Sequence, residues 1–185
     1  RRWEEAGKTF ADLAQLQPNS VEAAYFHALT LYNSGKAIDA EAETRRALRL
    51  DAGTVEAHTL LGIILASRGN ANAESFDALS QAIALNPNSF DAQLYLGRVQ
   101  YATKDYSGAV RSLRAAVALN PRHAEARFFL GTTLELAGDS NAAMTEYQEL
   151  LDINPDSAMG QLGLGALLVK QGKIDEALVA LQRAV

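Results

Sequence analysis

Three histidines are the side chains of this sequence best suited to acid–base chemistry or metal binding, and their spacing supports neither. His27 and His58 fall at predicted core-side positions of helices, and His123 falls in a link between helices. No two histidines have the spacing of a metal-ligand pair, and the pattern places no carboxylate and nucleophile beside them. The chain has no cysteine, which excludes a disulfide framework and a thiolate metal site. We therefore predict no catalytic residue, no metal and no cofactor, so that this chain is not itself an enzyme.

A glycine-rich segment could be mistaken for a phosphate-binding loop, because such loops are rich in glycine. Gly160, Gly163 and Gly165 occur together, but the apolar residues around them repeat with a helical period and no strand precedes them. We therefore predict a helix here and no nucleotide site.

Charge and hydropathy narrow the class of partner. The net charge is −5 and the isoelectric point is about 5.2, which argues against a nucleic-acid backbone as partner. No apolar run reaches the roughly 20 residues that a membrane-spanning helix needs, and no signal peptide is visible. We expect a soluble protein, and both the cytoplasm and a bacterial periplasm stay open.

The elements that hold these residues follow one repeating unit, seen best in residues 90–121. Two helix-length segments are separated by a polar break at Lys104 and Asp105. The second segment has Leu113 and Ala116 on one face, at helical spacing. It ends at Asn120–Pro121, because proline lacks an N–H group and disfavours helix in the preceding residue. The unit is therefore a predicted helical hairpin.

The unit recurs along the chain with a nearly fixed period. Pro87, Pro121 and Pro155 are 34 residues apart, and Pro18 lies 69 residues before Pro87, which is two periods and one residue. Ala52 occupies the place of the missing proline, so the extra residue falls near residues 70–73. When these prolines are numbered as position 32 of the unit, small residues recur at positions 8, 20 and 27. Local departures are Ala28 at position 8 and Ser75 at position 20. Position 15 is usually glycine and is Lys104 in the third unit.

This pattern resembles the tetratricopeptide repeat (TPR) family, whose 34-residue helical hairpins have small residues at positions 8, 20 and 27 and proline at 32. The resemblance implies an all-α, right-handed superhelical solenoid of antiparallel helix hairpins over residues 1–185. Full repeats are predicted at 21–54, 55–89, 90–123 and 124–157, with truncated repeats at 1–20 and 158–185. Because both terminal repeats are incomplete, we expect the sequence to be a piece of a longer chain.

The resemblance also implies a peptide-binding concave face, formed by positions 2, 5, 9, 12 and 13 of each first helix. The predicted contact residues are Tyr25, Leu29, Tyr32, Thr59, Ile63, Leu94, Arg98, Tyr101, Phe128, Thr132 and Leu162. Four acids at position 2 form a predicted acidic edge: Glu22, Glu56, Asp91 and Glu125. The main hypothesis is a non-enzymatic interaction or scaffold module that binds an extended peptide or helix of a neutral to basic protein partner.

Alternatives stay open at each level. The acids could simply stabilise first helical turns through the helix dipole, and the aromatic residues could pack between adjacent helices. The chain could instead be the substrate-recruiting arm of an enzyme, such as a glycosyltransferase or kinase, whose catalytic domain lies elsewhere. It could also self-associate through truncated ends that expose Trp3, Phe10, Leu178 and Leu181. One family function is excluded by sequence: Asp91 lies where the carboxylate-clamp co-chaperones have a lysine, and would repel a C-terminal carboxylate.

Overall fold

A computed structural model describes residues 2–69 and 73–184, and it describes side chains from residue 7 onward. The predicted extra residue near positions 70–73 and the side chain of Trp3 lie outside the described parts. Within those parts the regular structure consists of eleven helices. They are α1 (Arg2–Leu16), α2 (Val21–Asn33), α3 (Ala37–Leu50), α4 (Val55–Ser67), α5 (Ala73–Leu85), α6 (Phe90–Ala102), α7 (Tyr106–Leu119), α8 (Ala124–Leu136), α9 (Ser140–Ile153), α10 (Ala158–Lys170) and α11 (Ile174–Arg183).

The even-numbered helices, α2 to α10, are the first helices of the repeats, and short polar side chains start them. Ser20, Ser89 and Ser157 each accept a hydrogen bond from the backbone N–H three residues further on. Thr54 occupies the same position but makes no such cap, and its hydroxyl donates to the backbone oxygen of Asp51 at 3.1 Å. In the fourth repeat His123 provides the cap, with Nδ1 accepting from the N–H of Ala126 at 3.2 Å.

The turns inside the hairpins need a residue in the left-handed region of backbone space. Glycine fills this position four times, at Gly35, Gly69, Gly138 and Gly172, with φ between 75° and 90°. Lys104 fills it in the third hairpin with φ of 64°, so a residue with a Cβ adopts a conformation that glycine adopts at no steric cost.

Glycine also allows the two helices of a hairpin to approach closely. A Cβ added to Gly62 would lie 2.4 Å from Cγ of Leu79, and one added to Gly165 would lie 2.7 Å from Cγ of Leu181. Gly62 and Gly165, both at position 8 of a first helix, therefore leave room for a leucine at position 24 of the second helix. Leu79 is fully buried as a result.

The chain divides into two compact units, residues 1–99 and residues 100–185. In the first unit Ala28, Ala40, Leu60 and Ile64 form one buried cluster, and Leu79, Leu96 and Val99 form another. In the second unit the largest fully buried side chains are Leu113, Leu130, Tyr147, Leu150 and Leu167. Both cores lie between helices, since each hairpin buries its apolar faces against its neighbours.

A side-chain hydrogen bond recurs at the link that precedes each first helix from the second repeat onward. A donor at position 4 of the helix reaches the backbone oxygen of position 32 in the preceding repeat. The pairs are His58 Nε2 to Ala52 (2.9 Å), Gln93 Nε2 to Pro87 (3.3 Å), Arg127 Nε to Pro121 (2.7 Å) and Gln161 Nε2 to Pro155 (3.2 Å). Because a backbone oxygen only accepts, His58 carries its proton on Nε2 in this contact.

In the first repeat a different residue donates the hydrogen bond to the link oxygen. Its position 4 is Ala24, which has no donor, and the backbone oxygen of Pro18 accepts instead from Nη2 of Arg46 at 2.7 Å. The same nitrogen donates to the backbone oxygen of Ala14 at 3.1 Å. The link oxygen is therefore bonded in every repeat although the residue type changes.

Candidate functional site

In the first unit, a cavity of about 260 Å³ opens between three successive first helices, α2, α4 and α6. It brings together several residues of the predicted binding face. Its lining includes Tyr25, Leu29, Glu56, Ile63 and Asp91. Asn86 and Ser89, from the link before α6, complete one end. The sequence pattern placed these side chains on equivalent positions of separate repeats, and the fold gathers them around one cavity.

The wall of this cavity is apolar and aromatic. Tyr25, Leu29 and Ile63 are half-buried, so each ring or chain keeps an accessible side. Thr59 is only 7% exposed, and its hydroxyl donates to the backbone oxygen of Val55 at 2.9 Å. Thr59 therefore contributes to packing and leaves little surface for a partner.

Two carboxylates stand at the rim of the same cavity. Glu56 and Asp91 are exposed, and each lies in the first turn of its helix. Within the described residues neither has an ion-pair partner. The pKa of Tyr25 is raised above its ordinary value, first by burial of the phenol and then by the negative charges of Glu56 and Asp91. The ring thus stays neutral beside two negative charges.

Three acids on the second helices of this unit are, by contrast, paired with arginines, whereas Asp39 and Asp77 on the same helices are exposed and have no arginine partner among the described residues. Glu41 accepts hydrogen bonds from Arg45 and Arg68, and Glu43 accepts one from Arg46 at 3.1 Å. Glu74 also accepts from Arg45. Arg45, Arg46 and Arg68 therefore belong to local ion pairs.

The other predicted residues of the first unit differ in their burial and in their contacts. Leu94 is 3% exposed and is part of the packing, so it presents no surface to a partner. Tyr32 is half-buried against the first core cluster. Glu22 is exposed and accepts a hydrogen bond from Ser20 Oγ at 3.2 Å. The guanidinium carbon of Arg98 lies 5.0 Å from the ring centroid of Tyr95, at cation–π distance.

In the second unit, the predicted anchors Tyr101 and Phe128 pack within an aromatic cluster. The ring of Tyr101 meets that of Phe129 edge-on, with centroids 5.9 Å apart, and Phe128 lies 6.3 Å from Tyr147. Phe129 and Tyr147 were not among the predicted residues, although Phe129 adjoins Phe128 in sequence. This is the packing arrangement that was left open for these aromatic residues.

The remaining predicted residues of this unit differ in exposure. Thr132 is half-buried, and its hydroxyl donates to the backbone oxygen of Phe128 at 2.9 Å. Glu125 is half-buried in the first turn of α8. Leu162 is 51% exposed, and the neighbouring Met159 and Val169 on α10 are 40% and 47% exposed. These three residues form an apolar stripe on α10.

The histidines have structural surroundings. Nδ1 of His27 lies 3.5 Å from a carboxylate oxygen of Glu43 without a hydrogen bond, whereas His58 and His123 make the link and cap contacts described above. Gly160, Gly163 and Gly165 all lie in helix α10. Among the residues of ranges 2–69 and 73–184, no group of three or more potential ligands could hold a metal ion.

At the first end of the described chain, the ring of Phe10 is half-buried and stacks on Phe26 of the next repeat with centroids 5.3 Å apart. Leu178 is exposed, as expected, while Leu181 packs against Gly165. In the part of the chain that is described, no helix has both the length and the apolar character needed to cross a membrane.

Comparison with known proteins identifies the fold. One tetratricopeptide repeat model matches residues 68–127, and a second matches residues 104–158 and again residues 138–185. No match was found among curated proteins. Among solved structures, YrrB, titled "a TPR protein with an unusual peptide-binding site", is 22% identical with a TM-score of 0.82, and the match covers 97% of this chain and 92% of YrrB.

Two structures of MamA are also similar. One is 24% identical with a TM-score of 0.79, covering 85% of this chain and 91% of that one. The other, from Desulfovibrio magneticus RS-1, is 21% identical with a TM-score of 0.82, covering 89% and 92%. Since the family models together span residues 68–185 and the fold match reaches almost the whole chain, this protein belongs to the tetratricopeptide repeat family and has its all-α solenoid fold.

Proposed function

We propose that this chain is a non-catalytic protein-interaction module that binds an extended segment of a partner protein along the open side of its first helices. The observation that carries the proposal is the cavity of the first unit, where Tyr25, Leu29 and Ile63 keep accessible apolar surface between three successive helices. Aromatic and aliphatic side chains in such a cavity are the groups that anchor protein interfaces.

The shape of the site favours a segment of chain over a folded surface. A cavity of about 260 Å³ has room for a side chain or two, and it is lined by residues from successive repeats, which an extended segment could follow. YrrB, which is similar in fold, has a peptide-binding site according to its title. At 22% identity that likeness shows the fold alone, so the proposal depends on the surface of this chain.

The second unit offers its own candidate contact surface on α10. Met159, Leu162 and Val169 expose apolar side chains along one face of this helix. We include this stripe in the proposed interaction surface, and we omit Leu94 and Thr59, which are buried. Tyr101 and Phe128 contribute the accessible edges of an otherwise packed aromatic cluster.

The test is a peptide-display selection against the purified chain, repeated with two double variants. Leu29→Gln/Ile63→Gln changes the wall of the cavity. Leu50→Gln/Leu85→Gln also replaces two aliphatic residues with glutamine, at exposed positions of α3 and α5, and serves as the control. We expect enriched peptides to bind the first variant about tenfold more weakly than the parent, as loss of interface anchors does, and the control equally well.

Two outcomes would overturn the proposal. One is that no peptide is enriched by the parent chain. The other is that the enriched peptides bind all three proteins equally, which would place the interaction away from the cavity that carries the proposal. Circular dichroism of each variant confirms that the fold is retained.

A further inference from the structure

We infer that the cavity of the first unit receives the guanidinium group of an arginine from the partner segment, stacked on Tyr25 and paired with Glu56 and Asp91. This inference rests on the proposed function and adds the chemistry of the ligand. Three observations carry it: the unpaired carboxylates, the accessible aromatic ring, and a contact of the same kind inside this chain.

The first observation is charge. Glu56 and Asp91 come from different helices but line one cavity, and none of the described residues that line it is cationic. On the second helices of the same unit, Glu41, Glu43 and Glu74 are all paired with arginines. The helix dipole favours acids in first turns, but it does not require that two of them face the same cavity. The site is therefore complementary to a positive charge from a partner.

The second observation is the ring of Tyr25, which lines the cavity together with Leu29 and Ile63. A cation over an aromatic face is attracted by the ring quadrupole, and the attraction grows when water is partly excluded. Arginine fits better than lysine, since its planar guanidinium can stack on the ring while its five N–H donors reach carboxylates on two sides. The aliphatic stem of arginine would cover the apolar wall.

The third observation is that this chain already uses the contact. The guanidinium carbon of Arg98 lies 5.0 Å from the ring centroid of Tyr95, on the same helix as Asp91. Tyr95 is a half-buried tyrosine near the surface of the unit, as Tyr25 is. A guanidinium group over a tyrosine ring thus already occurs among the described residues of the first unit.

The experiment titrates the purified chain with N-acetyl-arginine N-methylamide and follows the backbone amide signals by NMR. The matched probes are N-acetyl-citrulline N-methylamide, which has nearly the same shape without charge, and the corresponding lysine compound. We expect saturable shifts at the amides of Tyr25, Glu56 and Asp91. The citrulline compound should bind about fivefold or more weakly, and the lysine compound should fall between them, in line with charge-assisted hydrogen bonds being the stronger ones.

Two double variants separate local pairing from overall charge. Glu56→Gln/Asp91→Asn should weaken binding of the arginine compound about fivefold, the combined effect of two partly solvated ion pairs. Asp39→Asn/Asp77→Asn removes the same charge from exposed positions of α3 and α5 and should change binding less than about twofold, because salt screens distant charges. Tyr25→Leu should weaken it about threefold through loss of the cation–π contact.

The inference is overturned if the arginine compound gives no saturable shift, if citrulline binds equally well, or if both double variants weaken binding to the same extent. These results differ from a failure of the proposed function. Display-selected peptides that lack arginine but depend on Leu29 and Ile63 would support the proposed interaction module and contradict only the proposal that its ligand is an arginine. Thermal unfolding of Tyr25→Leu and Glu56→Gln/Asp91→Asn verifies that each variant is folded.

Discussion

Tyr147 occupies the space that a side chain on Gly131 would need. A Cβ at Gly131 would lie 2.7 Å from Cε1 of the tyrosine ring, and one at Gly163 would lie 2.4 Å from the same atom. Tyr147 is 1% exposed and its hydroxyl lies 3.2 Å from Oγ1 of Thr132. The largest buried side chain of the second unit is therefore accommodated by glycines on two different helices, α8 and α10.

This fit makes Gly131 sensitive to substitution. Gly131→Leu should lower the free energy of unfolding by about 1–3 kcal/mol, because the ring of Tyr147 must move in a closely packed core. Gly7→Ala is the control, since the added Cβ would lie 3.7 Å from its nearest neighbour, Oγ1 of Thr30, at ordinary contact distance. That change should raise stability by about 0.5–1 kcal/mol, as alanine does in a helix. Urea denaturation measures both, and equal effects would contradict the packing argument.

The size relationship between positions 8 and 24 explains why the first repeat has alanine where other repeats have glycine. There Ala28 takes position 8 and the buried Thr44, smaller than Leu79 or Tyr147, takes position 24. Thr44→Leu alone should destabilise the protein by about 1–3 kcal/mol through overpacking. Adding Ala28→Gly should recover part of the loss, with a coupling energy of about 0.5–3 kcal/mol in a double-mutant cycle. Strictly additive effects would show that the two residues do not compete for space.

In the turn of the third hairpin, Lys104 has a strained backbone conformation that a substitution by glycine should relieve. Lys104 has φ of 64°, a conformation that glycine adopts at four equivalent turns. Lys104→Gly should increase the free energy of unfolding by about 0.5–1 kcal/mol, the steric gain being partly offset by the greater freedom of glycine in the unfolded chain. Lys36→Gly, at an exposed residue beside another turn, is the control and should not stabilise. Thermal or urea unfolding decides, and a destabilised Lys104→Gly protein would refute the prediction.

Alkaline pH should weaken the fold through Tyr147. Burial raises the pKa of this phenol above its ordinary value of 10.0, and the nearby carboxylate of Glu135 adds to the effect while the hydrogen bond with Thr132 opposes it. The folded protein therefore holds the proton more tightly than the unfolded chain. The resulting stabilisation is complete below pH 10 and is lost as pH rises through the folded pKa.

The measurement compares unfolding free energies of the parent and Tyr147→Phe between pH 9 and pH 12. The difference between the two proteins should be constant at the lower end, where only the lost hydroxyl contact counts, and should shift in favour of the variant above pH 10, by up to about 1.4 kcal/mol per pH unit. Lysines and arginines are common to both proteins and cancel in the difference. Parallel curves over the whole range would show that Tyr147 does not contribute.

Much of the fold could be predicted from spacing alone. The turn glycines, the serine caps and the small residues at position 8 each depend on local geometry, which a periodic sequence reveals. His123 as a cap and Arg46 as a substitute donor could not be predicted this way, because each fills a role through an unusual residue type. Leu94 was assigned to the open face from its repeat position, and it is buried because its neighbours pack over it.

The sequence could predict which repeat positions contribute to the candidate site, but it could not predict that their side chains line one cavity. Position 5 gives Tyr25 and Phe128 alike, and each meets the ring that follows it in sequence, Phe26 or Phe129. Phe128 also meets Tyr147 at position 24, where the first repeat has Thr44, while Tyr25 lines a cavity beside two acids. Repeat position therefore indicates which side chains face outward, and tertiary contacts determine which of them stay available.

The link hydrogen bonds have a consequence for how this chain can change in length. Each joins a backbone oxygen to a side chain six residues later, at His58, Gln93, Arg127 and Gln161. Adding one residue between the two partners would rotate the donor about a third of a helical turn away from its acceptor. A change of length within a link is therefore expected to break its hydrogen bond, so the links favour a constant number of residues between one hairpin and the next.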